Sequence, residues 1–131
     1  MIRGFATQDS FAATLPPDYP IFQVEIVESN GALRFQFYWK DKTSFEQDVG
    51  LVKVQYVSVY LRGQWPPLWR LYCPPLVQRP THFTYGLVPA GCVQEDPAAG
   101  PAPPLTPGQE YMVGANGDGG VGAKPFTYQG R

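Results

Sequence analysis

The sequence is poor in the residues that catalysis and metal binding use. It has one histidine and two cysteines among 131 residues. An ordinary zinc site needs four ligands, and His82, Cys73 and Cys92 lack the paired spacing of such sites. No serine lies in a Gly-x-Ser-x-Gly motif, and nothing places a nucleophile and a carboxylate beside the histidine. We therefore expect no catalytic residue, no metal and no cofactor, and a protein that is not an enzyme.

Charge of one sign and long apolar runs are also scarce. The net charge is −1 at pH 7, and the few lysines are scattered, whereas a nucleic-acid-binding protein needs a basic face. One of the longest apolar-rich runs, 57–61, contains a serine, and a membrane-spanning helix needs about 20 apolar residues. We therefore expect protein partners, no nucleic acid and no membrane span.

The first 15 residues lack the features of a secretory signal. No continuous apolar stretch of about 7–15 residues follows Arg3. Two alternatives remain open at this point. Either the chain is made and kept without export, or a leader is removed from the natural protein and Met1 stands in its place.

Proline and glycine are abundant, with 15 and 14 residues respectively. Both break helices and supply turns. Apolar residues make 44% of the sequence, which is too apolar for a disordered chain, and the length suits a single domain. These features predict an all-β domain built from many short strands.

Alternation of apolar and polar residues marks the strands. The clearest strand is LRFQFYWK (33–40). Its apolar positions are predicted to be buried together: Phe35, Phe37 and Trp39. Its polar positions are predicted to be exposed: Arg34, Gln36 and Lys40. A strand at 21–28 precedes it, and the two are joined at Asn30-Gly31, a dipeptide that favours a tight hairpin.

Further strands are expected at 51–63, within 64–75, and at 81–88, 109–115 and 123–129. The apolar run 57–61 indicates either cover on both faces or a bulge that switches the register. Proline pairs bracket 64–75, which favours a sheet edge.

About seven strands are thus expected, the number in a single immunoglobulin-like antiparallel β-sandwich. The predicted organisation is an extended N-terminal arm at 1–19 and a sandwich domain at 20–131. The domain carries a Pro-rich insert around 94–108, which has no periodicity.

Two stretches resemble fibronectin type III domains. In LTPGQEY (105–111), the resemblance implies that Leu105 plugs the core, Pro107-Gly108 makes a turn, and the Tyr111 hydroxyl bonds back to the backbone as a tyrosine corner. LRFQFYWK is similar to that family's second strand, and ANGDGGVGAKPFTY (115–128) to its final hairpin. The two cysteines and the Pro-rich middle of the chain depart from the family pattern.

Cys73 and Cys92 lie beside turns. In an oxidising compartment they would form a disulfide across the Pro-rich region, and in the cytosol they would be two buried thiols. The sequence leaves both alternatives open.

The chain has more aromatic residues than one small core needs, and aromatic residues in Pro-rich loops are typical of interfaces. The candidate contact residues are Trp65, Trp69 and Tyr72, with the apolar residues of the arm, Ile2, Phe5, Phe11 and Leu15. We expect the arm to dock on a neighbouring subunit, with the Pro-rich edge around 64–80 as its receiver. Deleting 2–15 should then abolish assembly and leave the melting point nearly unchanged.

The leading hypothesis is a non-enzymatic structural or interaction subunit of a larger assembly, such as a virion surface (decoration) or tail protein. Its partners would be copies of itself or other subunits of that assembly. The alternative is a secreted, periplasmic or lipid-anchored binding module whose signal peptide has been removed. In that alternative Cys73 and Cys92 are bridged.

Overall fold

The structure, a computed structural model, describes residues 21–39, 52–75, 80–117 and 119–130. Within these ranges the chain forms eight strands: β1 Gln23–Ser29, β2 Ala32–Tyr38, β3 Tyr56–Leu61, β4 Trp69–Tyr72, β5 His82–Thr84, β6 Val93–Asp96, β7 Glu110–Gly117 and β8 Gly120–Thr127. None of the described segments is a helix that could cross a membrane. The arm (1–19), with its four apolar candidates, and Lys40 lie outside the described residues.

Two antiparallel sheets make up the fold. One has the strand order β1-β2-β5, and the other has the order β6-β4-β3-β7-β8. Alternate side chains from both sheets meet in one buried core, which includes Phe35 and Phe37 from the first sheet and Val59, Leu71 and Val113 from the second. The predicted all-β sandwich is confirmed, with β6 as a strand that the sequence did not predict.

Two tight hairpins follow the predicted turn residues. Asn30 and Gly31 both adopt positive φ, at 52° and 77°, as a two-residue hairpin requires. Between β7 and β8 the pairing continues to Gly117 opposite Gly120. A β-carbon on Gly117 would collide with the backbone carbonyl of Lys53, so this end of the hairpin needs glycine.

Strand β2 buries its apolar face as predicted. Phe35 and Phe37 are buried, Trp39 is partly buried against the core, and Arg34 is exposed. The prediction for Gln36 is wrong, because this residue is 1% exposed.

Gln36 contacts the neighbouring strand β5. Gln36 lies opposite His82 in the β2–β5 register, and the Gln36 Nε2 atom lies 2.6 Å from His82 Nε2. The nitrogen of this buried amide therefore has a partner across the β2–β5 strand pair.

Strand β3 is covered on both faces. Its four central residues, Val57, Ser58, Val59 and Tyr60, are all buried. The register irregularity in this sheet lies between β4 and β6, at Arg70/Leu71, and the β3 pairings are continuous. The apolar run 57–61 is therefore explained by burial on both faces of β3, and not by a bulge that switches the register.

The prediction that 64–75 forms a sheet edge is wrong. Strand β4 lies between β3 and β6, so it has a partner on each side. The proline pairs stand outside Trp69–Tyr72, where no ladder hydrogen bond needs their missing N–H groups. The edge strand is β6, and the proposed receiver edge is thus already occupied.

The Pro-rich insert closes one side of the sandwich. The Trp69 indole N–H donates to Gln94 Oε1 at 3.0 Å, and Gln94 Nε2 donates to the Pro97 carbonyl at 2.9 Å. The Tyr85 hydroxyl donates to the Pro103 carbonyl at 2.7 Å. The insert is therefore held to both sheets at their β5 and β6 edges.

The opposite side is closed where β1 meets β8. The Phe22 N–H donates to the Val121 carbonyl at 2.8 Å. Further along, the Glu28 carboxylate accepts hydrogen bonds from the N–H groups of Gln129 and Gly130, at 2.9 and 3.0 Å. The first and last described segments of the chain are therefore tied together at two points.

Candidate interaction site

Both ring nitrogens of His82 contact neighbouring side chains of the fold. Its Nε2 atom lies 2.6 Å from the Gln36 side-chain nitrogen, and its Nδ1 atom lies 2.8 Å from the Thr81 hydroxyl. An amide nitrogen can only donate, so Nε2 accepts and Nδ1 carries the proton that is donated to Thr81. Both ring nitrogens thus have uncharged partners, and the ring fastens β5 to β2.

Cys73 and Cys92 form a disulfide. Tyr72, at the end of β4, pairs with Val93, at the start of β6, so the bridge flanks this strand pair. Of the two alternatives that the sequence left open for these cysteines, a disulfide or two buried thiols, the structure shows the disulfide.

Within the described ranges, no group of three or more histidine, cysteine, aspartate or glutamate side chains could hold a metal ion.

The two predicted tyrosine corner residues, Leu105 and Tyr111, contribute to the core. Tyr111 is buried, and its hydroxyl accepts a hydrogen bond from the Thr106 N–H at 2.8 Å. Its ring lies 5.8 Å from that of Phe126, and Leu105 packs on the core from the loop. The Tyr111 hydroxyl thus bonds back to the backbone five residues upstream, as predicted for this residue.

The three described contact candidates have different environments. Trp65 is 44% exposed, and its ring meets the edge of Tyr60 at 5.6 Å. Trp69 is 0% exposed and packs on Tyr85, so its prediction as a contact residue is wrong. Tyr72 is partly exposed on the outer face of the five-stranded sheet.

Tyr72 belongs to a cluster of side chains that was not predicted from the sequence. Its ring lies 4.8 Å from that of Tyr56, its register partner on β3. The Arg70 guanidinium lies 4.3 Å above the Tyr56 ring and is bonded to Glu95 at 3.1 Å. We call these four residues the aromatic patch. Tyr56 alternates with Val57 along β3, and Tyr72 alternates with Leu71 along β4. This alternation is the sequence signal that could have placed the two tyrosines on the outer face.

The side chains of the patch contact one another within the chain. The tilted ring contact of Tyr56 with Tyr72 and the cation–π contact of Arg70 restrict these side chains, which lowers the entropy lost on association. The Arg70–Glu95 pair is at the surface and adds little stability, but it orients the guanidinium. Tyrosine and arginine are the residue types that dominate binding energy at protein interfaces.

Two open grooves lie between the edge strands β1 and β8, with volumes of about 490 and 320 Å³. Lys124 lines both, and Pro125 follows it on β8. A charged side chain and a proline on an edge strand both resist the addition of a further strand. These grooves are therefore poorer candidates for a peptide site than the aromatic patch.

No family model, curated protein or solved structure matches the chain in comparisons with known proteins.

Proposed function

We propose that the chain is a non-enzymatic structural or interaction subunit of a larger assembly, and that the aromatic patch is its contact surface. The observation that carries this proposal is the fixed stack of Tyr56, Tyr72 and Arg70 on the outer face. The cluster has the residue types of an interface hot spot, and its three side chains are partly exposed. A virion surface or tail protein is the kind of assembly that we propose.

We retain the resemblance to fibronectin type III domains as part of the proposal. Immunoglobulin-like sandwiches place strands A, B and E in one sheet and C, F and G in the other. If β1, β2, β3, β5, β7 and β8 are taken as A, B, C, E, F and G, each lies in the corresponding sheet. The Tyr111 hydrogen bond supports the same assignment.

The second candidate is a secreted, periplasmic or lipid-anchored binding module. The Cys73–Cys92 disulfide favours it, because disulfides persist in the oxidising compartments outside the cytosol. A virion surface is also such an environment, so the bridge supports both candidates. Association with copies of itself is expected of the assembly subunit only, although its partners could also be other subunits of that assembly.

Sedimentation velocity over a concentration series tests the leading proposal. We expect the wild-type chain to form oligomers, and Tyr56→Ala combined with Tyr72→Ala to shift it to monomer with its sandwich intact. Thr127→Ala is the matched control, because Thr127 is exposed at the far edge of the same sheet. Oligomers that persist in the double variant would reject the patch as the contact. A wild-type chain that stays monomeric throughout would reject self-association through the aromatic patch.

A further inference from the structure

The Pro-rich insert has a repeating pattern of burial at 101–105, although this segment belongs to neither sheet. Ala102 and Leu105 pack against the core, whereas Pro101 and Pro104 are exposed. The two members of each pair are three positions apart, which is the repeat of a polyproline II helix. Three of the five residues are prolines, whose rings hold φ near the value of that helix. The segment thus has one edge on the core and one edge in solvent, and we call Pro101 and Pro104 the proline ridge.

The proline ridge is held in place by its own chain. Between the two exposed prolines, the Pro103 carbonyl accepts a hydrogen bond from the Tyr85 hydroxyl at 2.7 Å. Just after the ridge, the Thr106 N–H donates to the Tyr111 hydroxyl at 2.8 Å. The extended conformation therefore does not have to form when a partner binds, which lowers the entropy lost on association.

A ridge of this kind fits a surface of aromatic side chains. Proline-rich segments in the polyproline II conformation dock in aromatic-lined grooves of their partners. The rise of that helix is about 3.1 Å per residue, so two prolines three positions apart are about 9 Å apart. The complementary surface must therefore offer aromatic or apolar side chains over about this distance.

The aromatic patch and its neighbour on β6 offer this spacing. Tyr56 lies opposite Tyr72, and Tyr72 lies opposite Val93, so the three form one row across β3, β4 and β6. Directly opposite residues of antiparallel strands point to the same face, and Val93 is 54% exposed there. Adjacent strands are about 4.8 Å apart, so the row spans about 10 Å. We call Tyr56, Tyr72 and Val93 the tyrosine row.

The charges of the two surfaces also match. The segment 97–107 contains no charged side chain. The two charged side chains of the aromatic patch, Arg70 and Glu95, are bonded to each other at 3.1 Å. An uncharged ridge leaves this ion pair intact, whereas an acidic or basic partner would compete with it. The tyrosine hydroxyls add donors for the backbone carbonyls of a bound segment.

The ridge and the tyrosine row lie on opposite sides of β6. Gln94 points to the core side, where its side chain is bonded to the Trp69 indole and to the carbonyls of Pro97 and Gly100. Val93, the preceding residue on the strand, points to the other side. The insert is thus fastened away from the outer face of its own chain, and contact between ridge and row requires a second molecule.

We propose that the proline ridge of one copy binds the tyrosine row of a second copy, with the rings of Pro101 and Pro104 packed along the row. This inference rests on the proposed function, because it takes the aromatic patch as the contact between copies and adds the surface that binds there. The ridge and the row are different surfaces, so a copy bound through its ridge keeps its row for a further copy. Such contacts between unlike surfaces generate rings or open chains.

Two variants with complementary defects test the proposal on the full chain. Pro101→Ala/Pro104→Ala removes the ridge and keeps the row, and Tyr56→Ala/Tyr72→Ala removes the aromatic part of the row and keeps the ridge. In sedimentation velocity, we expect each variant alone to associate at least about tenfold more weakly than the wild type. An equimolar mixture of the two should form a 1:1 complex, because one ridge and one row remain intact.

The matched control is Ala98→Ser/Ala99→Ser, because both alanines are exposed in the same insert and lie outside the ridge. This control should associate as the wild type does, and equal weakening would reject the ridge as the contact. Near-UV circular dichroism checks that each variant keeps its fold. If the ridge variant loses its fold, a synthetic peptide of residues 99–106 replaces it. The peptide should shift the ring signals of Tyr56 and Tyr72 in the wild-type chain, and unchanged signals would reject the proposal.

The outcomes separate this inference from the proposed function. If the ridge variant associates like the wild type while the tyrosine variant is monomeric, the ridge is rejected and the aromatic patch remains the contact. If both variants are monomeric and their mixture stays monomeric, the pairing of ridge with row is rejected. A wild-type chain that is monomeric at every concentration rejects both proposals.

Discussion

The backbone N–H of Thr106 donates a hydrogen bond of 2.8 Å to the hydroxyl oxygen of Tyr111, five residues further along the chain. Because Tyr111 begins the buried part of β7, this bond fixes the loop that carries Leu105 against the core. This bond adds a further link between the Pro-rich insert and the five-stranded sheet.

Replacing Tyr111 by phenylalanine tests the importance of that bond. We expect a loss of about 1–2 kcal/mol in the free energy of unfolding, because the Thr106 N–H is left without its acceptor. Urea unfolding measures the change. Tyr128→Phe is the control, since no hydrogen bond of the Tyr128 hydroxyl to a described residue is present. An unchanged midpoint for Tyr111→Phe would show that water replaces the hydroxyl at no cost.

Phe37 is the centre of the aromatic core. Its ring lies 5.9 Å from both Phe22 and Phe83, each in an edge-to-face arrangement. Phe37→Ala should therefore destabilise the domain by about 3–5 kcal/mol, through lost burial and the cavity left behind. Arg34→Ala, on the exposed face of the same strand, should change stability by less than about 0.5 kcal/mol. Equal effects in thermal unfolding would mean that the assigned faces of β2 are wrong.

Reduction of the disulfide should lower stability. The bridge joins residues 19 apart, and closing a loop of this size contributes about 3 kcal/mol in the chain-entropy model. We expect the melting point of the wild-type chain to fall when a phosphine reductant is added. The Cys73→Ala/Cys92→Ala variant should melt near the reduced value and show no response to reductant. A wild-type melting point that ignores complete reduction, verified by thiol titration, would contradict this expectation.

Alkaline pH should destabilise the fold through Tyr60. Burial raises the pKa of this hydroxyl from 10.0 to about 12. Below pH 10 the side chain is neutral in both states, so its contribution is fully present there. Between pH 10 and 12 the unfolded chain releases the proton and the folded chain keeps it, so the free energy of unfolding falls as pH rises.

Denaturant unfolding at pH 9, 10 and 11 measures this slope. Burial also raises the pKa of Tyr85, with a smaller contribution from Tyr111, so the slope has a second source. Tyr60→Phe should make the decline shallower without removing it. An identical slope in the variant would show that the Tyr60 hydroxyl titrates as it does in water.

Features encoded by local chemistry could be predicted from the sequence. The Asn30-Gly31 turn and the buried face of β2 depend on backbone freedom and on alternation within one segment, and both are as predicted. The Tyr111 corner could also be anticipated, because its hydrogen bond spans only five residues. The all-β class followed from the spacing of such signals.

Features that depend on distant partners could not be predicted. Strand β6 is short and polar, and it becomes a strand because β4 offers it an edge and Gln94 meets the Trp69 indole across 25 residues. Gln36 is polar on an outward position, and its partner His82 comes from a strand 46 residues further along the chain. The aromatic patch likewise depends on the pairing of β3 with β4, and this pairing cannot be predicted from the sequence of either strand alone.

The two ties between β1 and β8 have a mechanical consequence. Chain entry at Ile21 lies beside the β7–β8 turn, and the last described residue, Gly130, lies at the opposite end of these strands, beside Glu28. Tension applied to these two points would load β1 and β8 along their length, so the hydrogen bonds of Phe22 and Glu28 to the β8 segment would be strained in shear and together. A domain tethered in series at both ends would therefore bear a pulling force better than one whose ends emerge side by side and allow the strands to unzip.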